Sequence, residues 1–354
     1  GIGLVEGLLL ASLIRVTGYL ALLAGGLLLG GGSTLAEVRS TMRTSHAAKG
    51  RWHMVRSVAR MLENQPLLNR IVRPALRALW NLLWWPAVWL QTHRDPHVAL
   101  SLDVGELTVD LRDRGVAWPL YRYGEYEPDE RSVMRRLVTP GMHAIDLGAQ
   151  FGYHTLLLSK LVGEAGNVLA VEAAPSNYEL LVRNLEGNAA TNVHAVNAAA
   201  SDQPGQLQLV VDPSNFGAHH VVGESHRAGA IPVRAVQLDS IIAERSLEPR
   251  FIKIDIEGAE LAALRGLTRT IEGRDLAILA ELNRPRLEQQ GASAGALLDY
   301  LEALGFRLYS VSTEGSLVPA GRDELVSVST RMDNVNFLAA KGAAVARAEV
   351  PGTG

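Results

Sequence analysis

The chain has 354 residues, of which 47% are hydrophobic and 20% are charged, so its composition excludes a disordered, collagen-like or low-complexity protein. It contains no cysteine, which excludes disulfides, iron–sulfur clusters, cysteine-ligated zinc and a cysteine nucleophile. The net charge is −3, yet residues 39–77 carry nine Lys or Arg against the single acid Glu63. The rest of the chain is net acidic and would repel phosphate, so no nucleic-acid partner is expected.

Residues 1–38 form an apolar N-terminal segment, and Arg15 is the only charged residue between Gly7 and Leu29. A helix over that stretch is long enough to cross a bilayer, which predicts a transmembrane helix. The basic residues that follow it predict that the larger part of the chain stays on the cytoplasmic side of the membrane. A cleaved signal peptide and an over-extended start site are the alternatives.

Residues 39–95 form a basic neck in which four tryptophans fall between Leu76 and Leu90. Tryptophans at near-helical spacing behind a group of arginines are typical of a helix that lies at the lipid headgroup level. A helix that packs its indole rings onto the following domain explains the same pattern. The sequence leaves both interpretations open.

Residues 96–345 alternate short apolar runs with amphipathic stretches, and residues 346–354 are expected to be a flexible tail. Val104–Leu111 and Val116–Tyr123 are predicted to form a hairpin of strands. Further strands are predicted over 143–147, 167–171, 193–198, 207–211, 231–236, 251–256, 276–282, 306–311 and 334–340. Helices are predicted over 127–138, 152–161, 176–186, 259–271 and 294–304. This alternation predicts an α/β fold with a mostly parallel seven-stranded sheet and helices on both faces.

Acidic and small residues follow the first strands of this sheet, where ligands bind in such folds. The turn from Asp146 to Gly152 is expected to hold the amino-acid end of a ligand, with Asp146, Gly148, Ala149, Gln150 and Gly152 as contacts. Asp146 and Ala149 replace two glycines of the dinucleotide pattern G-x-G-x-x-G, which counts against a pyrophosphate ligand.

The next two strand ends carry residues suited to the other parts of an adenosyl ligand. Glu172 is placed to accept both hydroxyls of a ribose, next to Ala173. Ala200 and Ser201 are small enough for a flat purine ring to lie against the backbone. Together the three sites predict S-adenosylmethionine as the cofactor in preference to NAD.

The fourth long strand carries charges along one side. Lys253, Asp255 and Glu257 are two residues apart, and such charges inside a buried strand are costly unless they are paired or used in chemistry. A self-satisfied ion pair is the alternative to a functional role. Asp255 is also predicted to contact the cofactor.

These residues resemble the FkbM-type S-adenosylmethionine-dependent methyltransferases, a class I family with a Rossmann-like fold. The resemblance runs from Glu127 to Val311, and its most specific part is the stretch from Lys253 to Glu260. Gln150 stands where the family more often has Asn. The resemblance implies O-methylation of a hydroxyl on a sugar, glycolipid or polyketide-like metabolite, and it implies nothing about residues 1–95.

Deprotonating a hydroxyl requires a base near the sulfonium. The candidates are His154, His219, His220, Asp255, Glu257 and Glu281, and His219 and His220 lie in a polar loop, residues 212–227, that could cover the acceptor. Asp255, Glu257 and Glu281 also offer oxygen atoms to Mg²⁺, but no compact motif supports a metal, so none is predicted. An NAD(P)-dependent oxidoreductase and a membrane-tethered, non-catalytic binding protein are the competing functions, and the oligomeric state is open.

Overall fold

The computed structural model describes residues 92, 95–223, 229–312, 315–332 and 334–349. All of them belong to the second of the two units into which the chain divides, Ala87–Gly354. The predicted transmembrane helix and the tryptophan-rich stretch lie outside the described residues. Within the described ranges, no helix is both long and apolar enough to pass through a bilayer.

Fourteen strands and eleven helices make up the described part of the chain. The strands are β1 His97–Leu102, β2 Gly105–Asp110, β3 His143–Leu147, β4 Asn167–Glu172, β5 Val193–Asn197, β6 Ala199–Ala200, β7 Gly205–Val210, β8 His220–Val222, β9 Ile231–Val236, β10 Pro249–Ile254, β11 Leu276–Asn283, β12 Arg307–Val311, β13 Leu317–Pro319 and β14 Asn334–Lys341. The helices are α1 Ala117–Tyr123, α2 Pro128–Leu137, α3 Tyr153–Val162, α4 Pro175–Gly187, α5 Leu238–Glu244, α6 Glu260–Arg265, α7 Thr268–Ile271, α8 Arg284–Gln289, α9 Ala294–Ala303, α10 Arg322–Ser329 and α11 Ala343–Glu349.

The main sheet has eight strands in the order β13-β12-β14-β11-β10-β3-β4-β5. The five strands from β11 to β5 run parallel to their neighbours, whereas β14 is antiparallel to both β11 and β12. This confirms the predicted α/β fold with a mostly parallel, Rossmann-like sheet. The short strand β13 adds an eighth, edge strand to the seven that were predicted.

Alternate residues of the central strands enter two different hydrophobic cores. Ala144 of β3 packs with helices α2 to α4 on one face, and its neighbour Ile145 packs with helices α5, α6 and α9 on the other. Burial on both faces explains why these strands are almost continuously apolar. Strands β3, β4 and β5 are added toward one edge of the sheet and the later strands, from β10 onward, toward the other. The carboxyl ends of the parallel neighbours β3 and β10 therefore border the crevice where ligands bind in this architecture.

The predicted inserted strands pair as expected and belong to a second sheet. Strand β7 pairs antiparallel with β9, and the four-stranded sheet has the order β6-β9-β7-β8. Strand β8 was not predicted. It lies in the polar loop, which also contains a short 3₁₀ turn over Phe216–Ala218.

The predicted hairpin over residues 104–123 is wrong. The hairpin consists of β1 and β2, in which Leu102 pairs with Gly105, and residues 117–123 form helix α1 instead of a strand. Val116, Ala117 and Leu120 are buried at helical spacing. The carboxylate of Asp113 accepts the N–H groups of Val116 and Ala117 and so caps the helix.

Three further boundaries differ from the predictions. Strand β10 ends at Ile254 because residues 255–258 turn away from the sheet. The predicted helix over residues 259–271 is divided into α6 and α7, and Asp239 accepts the N–H groups of Arg269 and Thr270 at the start of α7. The predicted flexible tail is helical up to Glu349, since α11 buries Ala344 and Ala348 in the core; residues 350–354 lie outside the described ranges.

Candidate active site

A partly open cavity of about 200 Å³ lies at the carboxyl ends of β3, β4, β10 and β11. Its wall includes seven of the ten predicted cofactor contacts and five of the six candidate bases. The cofactor contacts are Gly148, Ala149, Gln150, Glu172, Ala173, Ala200 and Asp255. The candidate bases are His154, His219, Asp255, Glu257 and Glu281.

Glu172 is held by backbone N–H groups. Its two carboxylate oxygens accept hydrogen bonds of 2.8 Å from the N–H groups of Gln150 and Ala174. The side chain is only 6% exposed, and burial raises its pKa to about 7. Asn177 also hydrogen-bonds to this carboxylate. With three of its four lone pairs engaged, the fixed carboxylate can still accept a ribose hydroxyl from the cavity.

The turn after β3 follows a tightly fixed path. Gly148 has a φ of +82°, and a Cβ there would overlap the carbonyl oxygen of Asp255. Glycine is therefore required at this position by the close approach of two strand ends. Gln150 has a φ of 49°, and its Nε2 donates to Asp113 at 3.0 Å.

Three predicted cofactor contacts do not line the cavity. Asp146 is fully buried, accepts a 2.6 Å hydrogen bond from Thr155, and has a second oxygen without a hydrogen-bond partner. Gly152 begins α3 as predicted, but its α-carbon faces the Leu181 side chain. Ser201 is buried, and its carbonyl packs against Gly266. These residues shape the elements around the cavity without entering its wall.

A segment of the polar loop is tied to the cofactor side by Asp113, a residue that the sequence analysis missed. Asp113 is fully buried and accepts the N–H groups of Gly115 and Phe216 as well as the amide of Gln150. The Phe216 carbonyl accepts from Asn177 at 3.3 Å. The cavity wall here includes Phe216 and three consecutive alanines, residues 198–200, which offer a flat apolar surface to a purine.

The two candidate histidines of the polar loop, His219 and His220, occupy different environments. His219 lines the cavity, its Nδ1 accepts the N–H of Asp212 at 3.1 Å, and burial lowers its pKa to about 4. It is therefore a neutral ring whose Nδ1 is already engaged. His220 does not line the cavity and lies 3.1 Å from a guanidinium nitrogen of Arg286.

The other side of the cavity is rich in carboxylates. Lys253 is 2% exposed and lies 3.0 Å from Asp255 and 3.7 Å from Glu130. The first pair confirms that Lys253 and Asp255 share a side. Glu257, in contrast, follows the end of the strand with a φ of 51° and accepts a 2.8 Å hydrogen bond from Asn283.

Burial and mutual repulsion raise the pKa values of these acids. Burial, together with the charge of Asp255, raises the pKa of Glu257 to about 7 and that of Glu281 to about 9. The pKa of Glu127, which the sequence analysis did not single out as a site residue, is raised well above its ordinary value for the same reason, with Glu130 as the repelling charge. Glu281 is therefore protonated near neutral pH, whereas Glu257 is poised to exchange a proton there.

An aromatic group closes this side of the cavity. The rings of Tyr126, Tyr153 and His154 lie in mutual contact, with centroids 5.2 to 6.5 Å apart. All three line the cavity beside Glu127. Burial lowers the pKa of His154 well below its ordinary value, so its imidazole is neutral. Of these three residues, the sequence analysis singled out only His154, because the two tyrosines belong to no recognisable motif.

Comparison with known proteins agrees with this architecture. Residues 146–308 match the methyltransferase FkbM domain. The hexuronic acid methyltransferase AglP of Haloferax volcanii is 24% identical over 135 residues, which are 38% of this chain and 53% of that protein. A protein-L-isoaspartate O-methyltransferase of Triticum aestivum is 33% identical over 85 residues, covering 24% of this chain and 34% of that protein. The chain thus spans about half or less of the length of these curated relatives.

Solved methyltransferase structures are also similar to part of the chain. An FkbM methyltransferase of Methylobacillus flagellatus KT has a TM-score of 0.37 and 17% identity, covering 56% of this chain and 43% of that one. An O-methyltransferase of Bacillus cereus in complex with SAH has a TM-score of 0.37 and 15% identity, covering 61% of this chain and 83% of that one. The family match and the fold agree: residues 146–308 match the methyltransferase FkbM domain, and S-adenosylmethionine is the cofactor of that family.

Proposed function

We propose that the protein is an S-adenosylmethionine-dependent O-methyltransferase that methylates a hydroxyl of a sugar, a glycolipid or a related metabolite. S-adenosylmethionine supplies an electrophilic methyl group, so the protein has to align the acceptor and remove its proton. Glu172 would accept the ribose hydroxyls, and the alanines at 198–200 would pack against the adenine. The residues at the cofactor side fit this ligand because Glu172 lines the cavity and is fixed there by two backbone hydrogen bonds.

The carboxyl groups on the acidic side of the cavity are the reason for proposing a hydroxyl as the methyl acceptor. Asp255, Glu257 and Glu281 line this side, and among the described residues in the cavity wall only Lys253 contributes a cationic side chain. The carboxyl groups of this wall can accept a hydrogen bond from a neutral hydroxyl and supply it with a base, whereas an acceptor carboxylate needs no base for methylation. Glu257 is suited to take the proton because its pKa is about 7, and Asp255 is the alternative base.

A sugar acceptor is supported by the similarity to the hexuronic acid methyltransferase of Haloferax volcanii. Incubating the purified full chain with methyl-labelled S-adenosylmethionine and a panel of acceptors tests the proposal. The panel contains hexuronic acid glycosides, the matching neutral hexosides and an isoaspartyl peptide. We expect label in a product that resists mild alkali, as a methyl ether does. Label that mild alkali releases as methanol identifies a carboxyl ester and contradicts the proposal, as does the absence of any labelled sugar.

We propose in addition that the protein works at the cytoplasmic face of a membrane. The apolar segment over residues 7–29, the basic residues 39–77 and the tryptophans between residues 76 and 90 support this location. Cell fractionation of the full chain and of a chain lacking residues 1–35 tests it. We expect the full chain in the membrane fraction and a larger soluble share after the deletion, whereas a full chain found in the soluble fraction alone contradicts the location.

A further inference from the structure

Glu127, Glu130 and His154 bring three ligand atoms together beside the cavity. One carboxylate oxygen of each glutamate and one ring nitrogen of the histidine all lie within 4.8 Å of one another. Glu127 immediately precedes α2, Glu130 lies in its first turn, and His154 lies in the first turn of α3. The cluster is therefore built on the ends of two helices, which fix the positions of its side chains.

Two atoms of this cluster are buried without a hydrogen-bond partner. His154 is 8% exposed, and its Nε2 has no partner. The Oε2 atom of Glu127 also has none, and it faces that nitrogen at 3.7 Å. This separation is too long for a hydrogen bond. It does match two ligands of one metal ion, since bonds of about 2.1 Å place neighbouring ligand atoms roughly 3 to 4 Å apart.

Glu130, the third ligand, contacts two neighbouring side chains. Oε1 of Glu130 accepts a 2.7 Å hydrogen bond from Asn336, and its Oε2 lies 3.7 Å from the ammonium of Lys253. Glu130 does not line the cavity, whereas Glu127 and His154 do. A cation bound among the three would thus have protein ligands on its inner side and open positions toward the cavity.

Several acids share the ammonium of Lys253. It interacts with the carboxyl groups of Glu127, Glu130, Asp146 and Asp255. The neighbouring cation Arg131 forms ion pairs with Asp103 and Glu125, outside the cluster. A divalent ion would add positive charge to the cluster and give both unpartnered atoms a ligand.

We propose that Glu127, Glu130 and His154 bind one divalent first-row transition-metal ion. The imidazole favours Mn²⁺, Fe²⁺ or Zn²⁺ over Mg²⁺ and Ca²⁺, which prefer ligand sets made of oxygen alone. The ion's open positions face the part of the cavity assigned above to the acceptor. A role in orienting two acceptor oxygens rests on the proposed function, whereas the binding of the ion does not.

Titration with Mn²⁺ alone tests the site. The electron paramagnetic resonance signal of the free ion measures the concentration of unbound Mn²⁺ at each step. The sample is the full chain after treatment with a chelator and its removal. We expect one Mn²⁺ per chain with micromolar affinity, and a loss of affinity of at least about tenfold in His154→Ala and in Glu127→Gln. His219→Ala is the matched control, because it removes a cavity histidine outside the cluster and should leave Mn²⁺ affinity unchanged.

Thermal unfolding and S-adenosylhomocysteine binding of each variant establish that the variant is folded. Binding of Mn²⁺ only at millimolar concentration overturns the proposal. So does a site that is lost in Glu281→Gln or Asp255→Asn but retained in His154→Ala, because the ion then lies among the other carboxylates. If metal-free protein binds S-adenosylhomocysteine and methylates a sugar while Mn²⁺ does not bind, the metal site is refuted and the proposed function stands.

Discussion

The two sides of the cavity hold their charges in different ways. On the cofactor side, Glu172 and Asp113 are buried, and both accept backbone N–H groups from the turns around them. On the opposite side, Glu127, Glu130 and Asp255 interact with the ammonium of Lys253, so their charged partner is a side chain. Backbone donors cannot move without moving the fold, whereas a side-chain cluster can exchange a proton or a cation. The cofactor side therefore provides fixed geometry, and the acidic side provides adjustable charge.

This contrast has a direct consequence for catalysis. A cofactor with one constant shape is best bound by fixed carboxylates, because binding then costs little reorganisation. Removal of a proton from an acceptor requires a group whose charge can change during the reaction. The pKa of Glu257 near 7 meets that requirement on the acidic side.

The largest effect is expected from removing the cation of the acidic side. Lys253→Met leaves the surrounding carboxylates without their buried partner, and we expect the free energy of unfolding to fall by about 3 to 5 kcal/mol. Urea denaturation at neutral pH measures the change. Lys160→Met is the control, since the exposed Lys160 donates only to the Asp103 carbonyl at 3.1 Å and should change stability by less than about 0.5 kcal/mol. Equal stabilities of the two variants would show that the carboxylates do not depend on Lys253.

A smaller effect is expected on the cofactor side. Glu172→Gln keeps the size of the side chain but replaces one acceptor oxygen by an NH₂ group, which must face a backbone N–H. We expect the affinity for S-adenosylhomocysteine to fall by about 10- to 100-fold, as for the loss of a hydrogen bond to a charged group. Isothermal titration calorimetry measures it. Glu164→Gln, at an exposed position in the same domain, should leave the affinity unchanged. A change below twofold in Glu172→Gln would place the ribose elsewhere.

The same contrast explains what the sequence could predict. The fold was predictable because the strands from β3 to β5, together with β10 and β11, are short apolar runs bounded by turns, and their helices are amphipathic. Glu172 was predictable because it follows directly after a strand of the parallel sheet. In both cases a local pattern is sufficient.

The acidic side could be recognised only in part. The alternation of Lys253 and Asp255 was visible, but Glu127 and Glu130 lie more than 100 residues earlier in the chain, and only the packing of α2 against the sheet brings them together. Asp113 was missed for a related reason. One of the groups that donate a hydrogen bond to it is the N–H of Phe216, which is far away in sequence. The helix that Asp113 caps was predicted as a strand. Its sequence, Val116–Tyr123, is rich in aromatic residues, which are common in strands, and contains Pro119. Proline disfavours a helix interior, but this one lies in the first turn, where a helix tolerates it.

The smallest effect concerns the response of the acidic side to pH. Burial raises the pKa of Glu281 from an ordinary 4.5 to about 9, so between these values the folded protein holds a proton that the unfolded chain has lost. Raising the pH from 7 to 8 removes part of that proton and should lower the free energy of unfolding by about 1 kcal/mol. Burial lowers the pKa values of His154 and His219, which therefore stay neutral in the folded protein across this window, and the raised pKa of Lys253 keeps it charged throughout. Urea denaturation at pH 7, 8 and 9 in the presence of a chelator measures how the free energy of unfolding changes with pH. This dependence should become weaker in Glu281→Gln. A free energy of unfolding that rises with pH would mean that Glu281 is ionised in the folded protein.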